Sequence, residues 1–200
     1  MKNSAGGATG LDQLAPLLVV SGPSGVGKST VVAQALGLSP KLWLSVSATT
    51  RAPREGEVDG VSYSFVSDSE FVQMVESGHM LEWAQYAGNK YGTPSAPVQA
   101  RREAGVPVIL EIEVQGARQV RESAPDATLV FIAPPSIGEL DARLRGRGTE
   151  STDALSARLE IAHEELAAMP EFDHVLVNAD VRATATALLD LCIDPRNEDS

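Results

Sequence analysis

The chain has 200 residues, 43% hydrophobic and 22% charged, ordinary globular usage that excludes a fibrous repeat and a wholly disordered chain. Its 27 acidic against 16 basic residues leave a formal charge of −11, which repels nucleic acid at long range, so an anionic substrate must be met by a local cluster of cations. A single cysteine, Cys192, excludes an intrachain disulfide and fits a reducing cytoplasm, and no apolar run reaches membrane-spanning length.

Residues Met1 to Gly10 are mostly small or polar and lack the apolar stretch of a secretory signal, so they predict a flexible tail, as does Asp194 to Ser200 at the other end. From Leu17 onward short apolar runs alternate with helical periodicity, the pattern of an α/β domain with a mainly parallel sheet. Strands are expected at Leu17 to Ser21, Trp43 to Ser47, Val106 to Glu113, Thr128 to Ala133 and His174 to Asn178, each apolar on both faces and so buried between helices. One helix is expected from Lys28 to Gly37, and another from Ser136, whose hydroxyl can pair with Glu139 in a capping box. A third starts near Thr152 and stacks Leu155, Leu159, Ala162 and Leu166 on one face. The segment from Val58 to Tyr91 breaks the alternation. Val61, Tyr63 and Phe65 recur at period two, as do Leu81 and Trp83, around a short helix with the capping pair Ser67 and Glu70, which predicts a small antiparallel lobe.

Gly22-Pro23-Ser24-Gly25-Val26-Gly27-Lys28-Ser29 fits G-x-x-x-x-G-K-S/T after an apolar strand and before a helix, the context a phosphate-binding P-loop demands. Its backbone N–H groups converge on phosphate oxygens, Lys28 reaches the β and γ phosphates, and the helix N-terminus adds a favourable dipole. Ser29 can ligate Mg²⁺ beside the nucleotide. The competing reading is a Gly-rich strand-to-helix turn with an incidental lysine, which does not require those flanks. Glu113-Val114-Gln115-Gly116 is faintly like the carboxylate-x-x-Gly of GTPases, but no Asn-Lys-x-Asp follows to read guanine in that manner.

Ser45-Val46-Ser47-Ala48-Thr49-Thr50-Arg51-Ala52-Pro53-Arg54 sets two arginines around a rigid proline, beside hydroxyls. That suits an anion pocket, since guanidinium binds phosphate oxygens as a fork, or else an exposed loop with weak surface ion pairs.

Taken with Gly56 to Gly60, Leu81-Glu82-Trp83-Ala84, Tyr91-Gly92-Thr93, Phe131 to Ser136, Gly146-Arg147-Gly148-Thr149 and Val177-Asn178, these stretches resemble the guanylate kinase family in order, from about Leu17 to Leu191. The resemblance implies an α/β P-loop NTPase fold with a five-stranded mainly parallel sheet, a small antiparallel GMP-binding lobe and a mobile lid. On that division the core spans about 14–46 and 96–192, the lobe about 47–95 and the lid about 144–160, with tails at 1–13 and 194–200. It implies ATP-dependent phosphorylation of GMP with Mg²⁺, in the cytoplasm, with neither nucleic acid nor membrane as partner.

Residue by residue, the resemblance places ATP on Gly22 to Ser29 (Gly22, Pro23, Ser24, Gly25, Val26, Gly27, Lys28, Ser29), with Thr30, Arg147 and Asn178. It places the GMP phosphate on Arg51, Arg54, Tyr63 and Tyr91, and guanine on Glu82, Glu113, Ser47 and Thr93. The chemistry agrees: guanine offers N1–H and an exocyclic amine on one edge, for a carboxylate such as Glu82, and acceptors on the other, for hydroxyls. Glu82, between Leu81 and Trp83, can equally be the solvated face of a strand, and the two tyrosines can be half-buried strand aromatics. The family usually shows Asp-x-Asp where this chain has Glu111-Ile112-Glu113, and Ser is common where Thr93 stands.

Phosphoryl transfer asks for alignment and charge neutralisation rather than a general base. Lys28, Arg51, Arg143, Arg147 and Arg158 are the candidate catalytic cations, the last three around the Gly-flanked segment that the family uses as a lid. Arg143 and Arg158 can also be solvated helix arginines with i,i+4 partners, and Asn178 an ordinary turn or cap. His79, His163 and His174 show no metal spacing and receive no role. A non-catalytic guanylate-kinase-like interaction module is the alternative from another class; such modules usually lack a complete P-loop, whereas Lys28 and Ser29 are present. A kinase for another monophosphate is the third reading.

Overall fold

β1 (Leu17–Ser21) is buried at all five positions and lies at the centre of a five-stranded sheet. A computed structural model describes residues 14–86, 88–145 and 152–193, with side chains for all of these except 152–158 and 193. After β1 come α1 (Lys28–Leu38), β2 (Trp43–Leu44), β3 (Ala48–Thr49), β4 (Ser64–Phe65), α2 (Asp68–Glu76), β5 (Met80–Tyr86), β6 (Asn89–Pro94) and α3 (Ser95–Glu103). The second half runs β7 (Val108–Glu111), α4 (Val114–Ser123), β8 (Thr128–Ala133), α5 (Ile137–Arg145), α6 (Thr152–Ala167), β9 (His174–Val177) and α7 (Val181–Ile193).

The core sheet has the order β2-β7-β1-β8-β9, and every pairing in it is parallel. Strand alternation sorts its side chains into two layers. Leu18, Val20, Ile109, Val130 and Ile132 face α1, α5 and α7 through Val31, Val32, Leu140, Leu144 and Leu188. Leu17, Val19, Val108, Leu110 and Leu129 face α3 and α4 through Val98, Ala117 and Val120. Ala162 of α6 is fully buried in the first layer, with Leu159 and Leu166 packed against it, so the stripe read from sequence holds there; Leu155 lies outside the described side chains. Parallel strands aim their carboxyl ends one way, and ligands bind there, outside the sheet edge.

The structure differs from the sequence reading at five places, the first being the strand expected over Val106 to Glu113, which runs only from Val108 to Glu111. The strand expected over Trp43 to Ser47 ends at Leu44, because Ala48 and Thr49 leave the core sheet and pair with Gly92 and Tyr91 of β6. The second sheet, β4-β3-β6-β5, is mixed rather than wholly antiparallel, since β3 and β4 run parallel. Val61 is 71% exposed: the chain turns there, with Gly60 N–H donating to Tyr63 O at 2.8 Å, and only Ser64 and Phe65 form a strand. β9 is an edge strand with Val175 and Val177 exposed, so it is covered on one face only. Among the described residues no helix is long and apolar enough to cross a membrane.

The cap read from sequence on α2 is present in both halves. Ser67 Oγ accepts from Glu70 N–H at 3.2 Å, and the Glu70 carboxylate accepts from Ser67 N–H at 2.8 Å. Ser67→Ala is expected to cost about 1 kcal/mol, a fall of roughly 2 to 4 °C in melting temperature; an unchanged melt would mean that water replaces the cap.

Candidate active site

The loop between β1 and α1 turns because Gly22 has φ 143°, in the region glycine favours; a Cβ there would lie 2.3 Å from Ile132 O, against the backbone of β8. Val26 is fully buried and anchors the loop to the core. Lys28 Nζ donates to Gly22 O across the loop and lies 3.9 Å from Glu113 Oε2. Ser29 Oγ donates to Glu111 Oε1 at the end of β7. On the other side Asn178, 3% exposed, donates from Nδ2 to Val26 O at 2.8 Å, and Arg143 donates to Val26 O at 3.2 Å and to Asn178 O at 3.3 Å. Arg143 also meets Glu139 at 3.4 Å, the i,i+4 partner of the plainer reading, so its guanidinium is shared between its own helix and the loop. A cavity of about 290 Å³ opens there, lined by Val26, Gly27, Thr30, Arg143, Asn178 and Val181 among others.

Glu165 of α6 enters this loop, although nothing near it in sequence marks it. Its Oε2 accepts from the Ser24 N–H at 3.2 Å. Burial, reinforced by a hydrogen bond to the carboxyl of Glu113, pushes the Glu165 carboxyl up to about 7, against the lowering pull of Lys28 and Ser24 N–H. Glu113 thus meets Lys28 on the loop side.

One helical turn away lies a second carboxylate. Glu113 is the N-cap of α4, and Gly116, three residues on, is the point against which Glu82 rests: a Cβ on Gly116 would lie 2.9 Å from Glu82 Oε2. Glycine is needed there for close approach, a different job from the GTPase-like one its spacing suggested. Glu82 is 6% exposed, while its neighbour Trp83 is 39% exposed and rests edge-on against Phe71. The solvated-face reading of Glu82 therefore fails. α4 holds this strand in register: the Gln119 amide accepts from Trp83 N–H at 3.0 Å and donates to Trp83 O at 2.9 Å, as another strand would, and Ser123 Oγ donates to Leu81 O at 2.8 Å. Thr93 Oγ1 donates to Glu82 Oε1 at 2.6 Å, so this hydroxyl serves the carboxylate here and not an opposite edge of the pocket. Burial raises the Glu82 carboxyl above its ordinary range, and the Thr93 hydroxyl works against that rise.

Arg51, Arg54, Tyr63 and Tyr91 gather on the lobe. The Arg51 guanidinium stands 5.4 Å from the centre of the Tyr63 ring, which meets Tyr91 edge-on at 6.1 Å. Its fork is held by Glu57, Nη1 to Oε2 at 2.9 Å and Nη2 to Oε1 at 2.8 Å, and Glu57 also accepts from Arg54 N–H at 2.7 Å. Arg51 and the Arg54 N–H hold the Glu57 carboxyl down to about 2. Ser47 borders the lobe and is half-buried, its carbonyl accepting from Ser64 N–H.

The structure thus brings together the loop residues with Lys28, Ser29, Arg143 and Asn178, the arginine and tyrosine cluster, and the Glu82–Thr93 pair. Arg147 and the side chain of Arg158 lie outside the described residues, as do 146–151 of the expected lid and both tails. Sequence reasoning assigned no role to Glu57, Glu165 or Gln119, and read Gly116 only within a GTPase-like spacing. Only Glu57 had a local signal, a carboxylate following both arginines across a Pro53 and Gly56 turn.

Comparison with known proteins bears on the whole of this arrangement. The family model described as guanylate kinase matches residues 15–193. A guanylate kinase of Streptomyces coelicolor is 60% identical over 175 residues, 88% of this chain and 89% of that one. Another, of Thermobifida fusca, is 56% identical over 189 residues, 94% and 96% of the two chains. The crystal structure of guanylate kinase from Anaplasma phagocytophilum matches with a TM-score of 0.71 at 30% identity, covering 93% of this chain and 88% of that one. Identity of this degree, carried over nearly the full length of both partners, means that the chain belongs to the guanylate kinase family.

Proposed function

We propose that the reaction of this chain, ATP-dependent phosphorylation of GMP to give ADP and GDP, runs across the first turn of α4, with the ATP phosphates on Gly22 to Ser29 and guanine against Glu82. The observation that carries this reading is the pair Glu113 and Gly116: the first faces Lys28, the second faces Glu82, and about one 5.4 Å turn separates them. Two sites a single turn apart suit a donor and an acceptor nucleotide bound side by side.

On this reading Lys28 and the loop amides hold the β and γ phosphates. Thr30, Arg143 and Asn178 border the cavity assigned to the adenosine end. Arg51, Arg54, Tyr63 and Tyr91 take the GMP phosphate, and Glu82 accepts from the guanine edge that carries N1–H and the amine. Ser47 is the donor left for the other edge, since the Thr93 hydroxyl is engaged with Glu82. Glu113 is assigned to the phosphate side, where its contacts lie. Arg147 and Arg158 are kept as cations for the transferring group on the strength of the family resemblance alone.

The chemistry asks little more. A phosphate monoester has a second pKa near 6, so the acceptor oxygen is ionised at neutral pH and attacks γ-phosphorus without a base; the protein aligns the two and neutralises charge. Ser29 Oγ and the Glu111 carboxylate offer hard oxygen donors of the kind Mg²⁺ takes beside nucleotide phosphates. A Mg²⁺ held there would supply positive charge beside the nucleotide phosphates. The buried Cys192 thiol, pushed up to about 12 by burial, is inert and fits a reducing cytoplasmic setting.

The test is a coupled assay of ADP formation with ATP and Mg²⁺, offering GMP, AMP, UMP, CMP and dTMP in parallel. Turnover confined to GMP is expected, and comparable turnover of a second monophosphate would overturn the guanine contacts.

A further inference from the structure

A phosphate loop is a set of donors, and donors near a protein interior find partners whether or not nucleotide is bound. Here the Ser24 N–H, inside the loop, points at Glu165 Oε2 at 3.2 Å, and Lys28 Nζ has Glu113 Oε2 at 3.9 Å. The two carboxyl groups thus lie on the same loop, Glu165 on one of its amides and Glu113 near its lysine. Carboxylate oxygens aimed at a loop amide and at the loop lysine present the kind of acceptor that a phosphate group presents. Ser24 lies 141 residues from Glu165, so the contact is made by the fold rather than by a local turn.

We propose that Glu165 is a ligand the protein supplies to its own phosphate loop, occupying a position that the nucleotide phosphates must take, so that ATP binds by displacing it and Glu165 weakens ATP affinity. Glu165 is then a residue that sets affinity for the phosphoryl donor and has no part in the chemistry. The inference rests on the reading of the loop given under the proposed function. It has a consequence opposite to the usual result of altering a residue at an active site. Taking the charge from Glu165 removes a competitor, and binding tightens.

Titration calorimetry of ATP with Mg²⁺, without GMP, tests this on the full chain. Glu165→Gln keeps the size and one acceptor oxygen and removes the charge; it is expected to bind ATP about 3- to 10-fold more tightly than the wild type. The same gain is expected for inorganic triphosphate, which has no base or ribose, while GMP affinity stays within about twofold. Glu165→Ala should move in the same direction. In isotope-labelled wild-type protein, the Ser24 amide and Glu165 carboxyl resonances should shift together as triphosphate is added, a readout that needs no variant. Unchanged or weaker ATP binding in Glu165→Gln would overturn the proposal, as would a Glu165 resonance that does not respond while Ser24 does. A wild type that binds neither ATP nor triphosphate would overturn the loop reading itself and this inference with it. ATP binding without the gain in the variant would overturn only the role of Glu165.

Discussion

Arg51→Ala is expected to lower kcat/KM for GMP by about 10²- to 10³-fold, the scale of losing one preorganised donor at a transition state, while ATP affinity stays within about twofold of the wild type. The argument starts from how the side chain is held. Nη1 donates to Ala52 O and Glu57 Oε2, Nη2 donates to Glu57 Oε1, and the plane lies over Tyr63 with Phe65 at 5.9 Å. Of the five N–H groups of a guanidinium, those contacts leave Nε–H and one Nη2–H, which the Tyr91 hydroxyl and an incoming phosphate would share. The arginine is therefore positioned before GMP arrives, and the entropy of ordering it is already spent in folding. Arg51→Lys is not expected to restore activity, because a point ammonium cannot keep the fork to Glu57 and bind phosphate at once. Calorimetry with GMP and ATP separately, beside steady-state kinetics, checks this. An equal loss of ATP binding would undo the assignment of Arg51 to the acceptor phosphate.

Legibility in the sequence followed the range of the interactions. β1 and β8 fall where their apolar runs put them, and the phosphate loop is fixed by residues adjacent in sequence, so strand, loop and helix could be read together. The capping box at Ser67 and Glu70 was readable for the same reason. Periodicity misled where exposure came from topology. Val175 and Val177 are as apolar as a central strand requires, yet β9 is at the edge, and a run of letters carries no information on which strand ends a sheet. Glu82 is the reverse case. A carboxylate between Leu81 and Trp83 can be read from the sequence as a guanine contact or as the solvent face of a strand; Gly116, Gln119 and Ser123 of α4, far along the chain, turn it inward and leave Trp83 outward. Glu165 meeting Ser24 belongs to the same group, since the partners come from opposite ends of the chain. For such contacts the sequence offers the residue type and the family resemblance, and the fold supplies the neighbour.

That inward turn of Glu82 leads to the second large effect, a loss of about 10- to 200-fold in kcat/KM for GMP in Glu82→Gln, equivalent to one charge-assisted hydrogen bond at roughly 1.5 to 3 kcal/mol. A carboxylate can accept from both N1–H and the exocyclic amine of guanine, whereas an amide turns one of those acceptors into a donor that faces a donor. IMP, which lacks the amine, should suffer less, so the preference for GMP over IMP should shrink in the variant. Stability should move the other way. Burial raises the folded-state pKa of Glu82 above the ordinary 4.5, so the native state binds more protons than the unfolded chain between those values, and this group's contribution to stability falls as pH rises through that window. The wild type carries the cost of the buried charge at pH 8 and not at pH 4, and the amide carries it at neither. Glu82→Gln should therefore melt at or above the wild-type temperature at pH 8, with the difference shrinking towards pH 4. Lost GMP turnover in a protein that is no less stable would assign Glu82 to recognition. A variant that melts lower at pH 8 and loses turnover in proportion would assign it to the packing of α4 against β5.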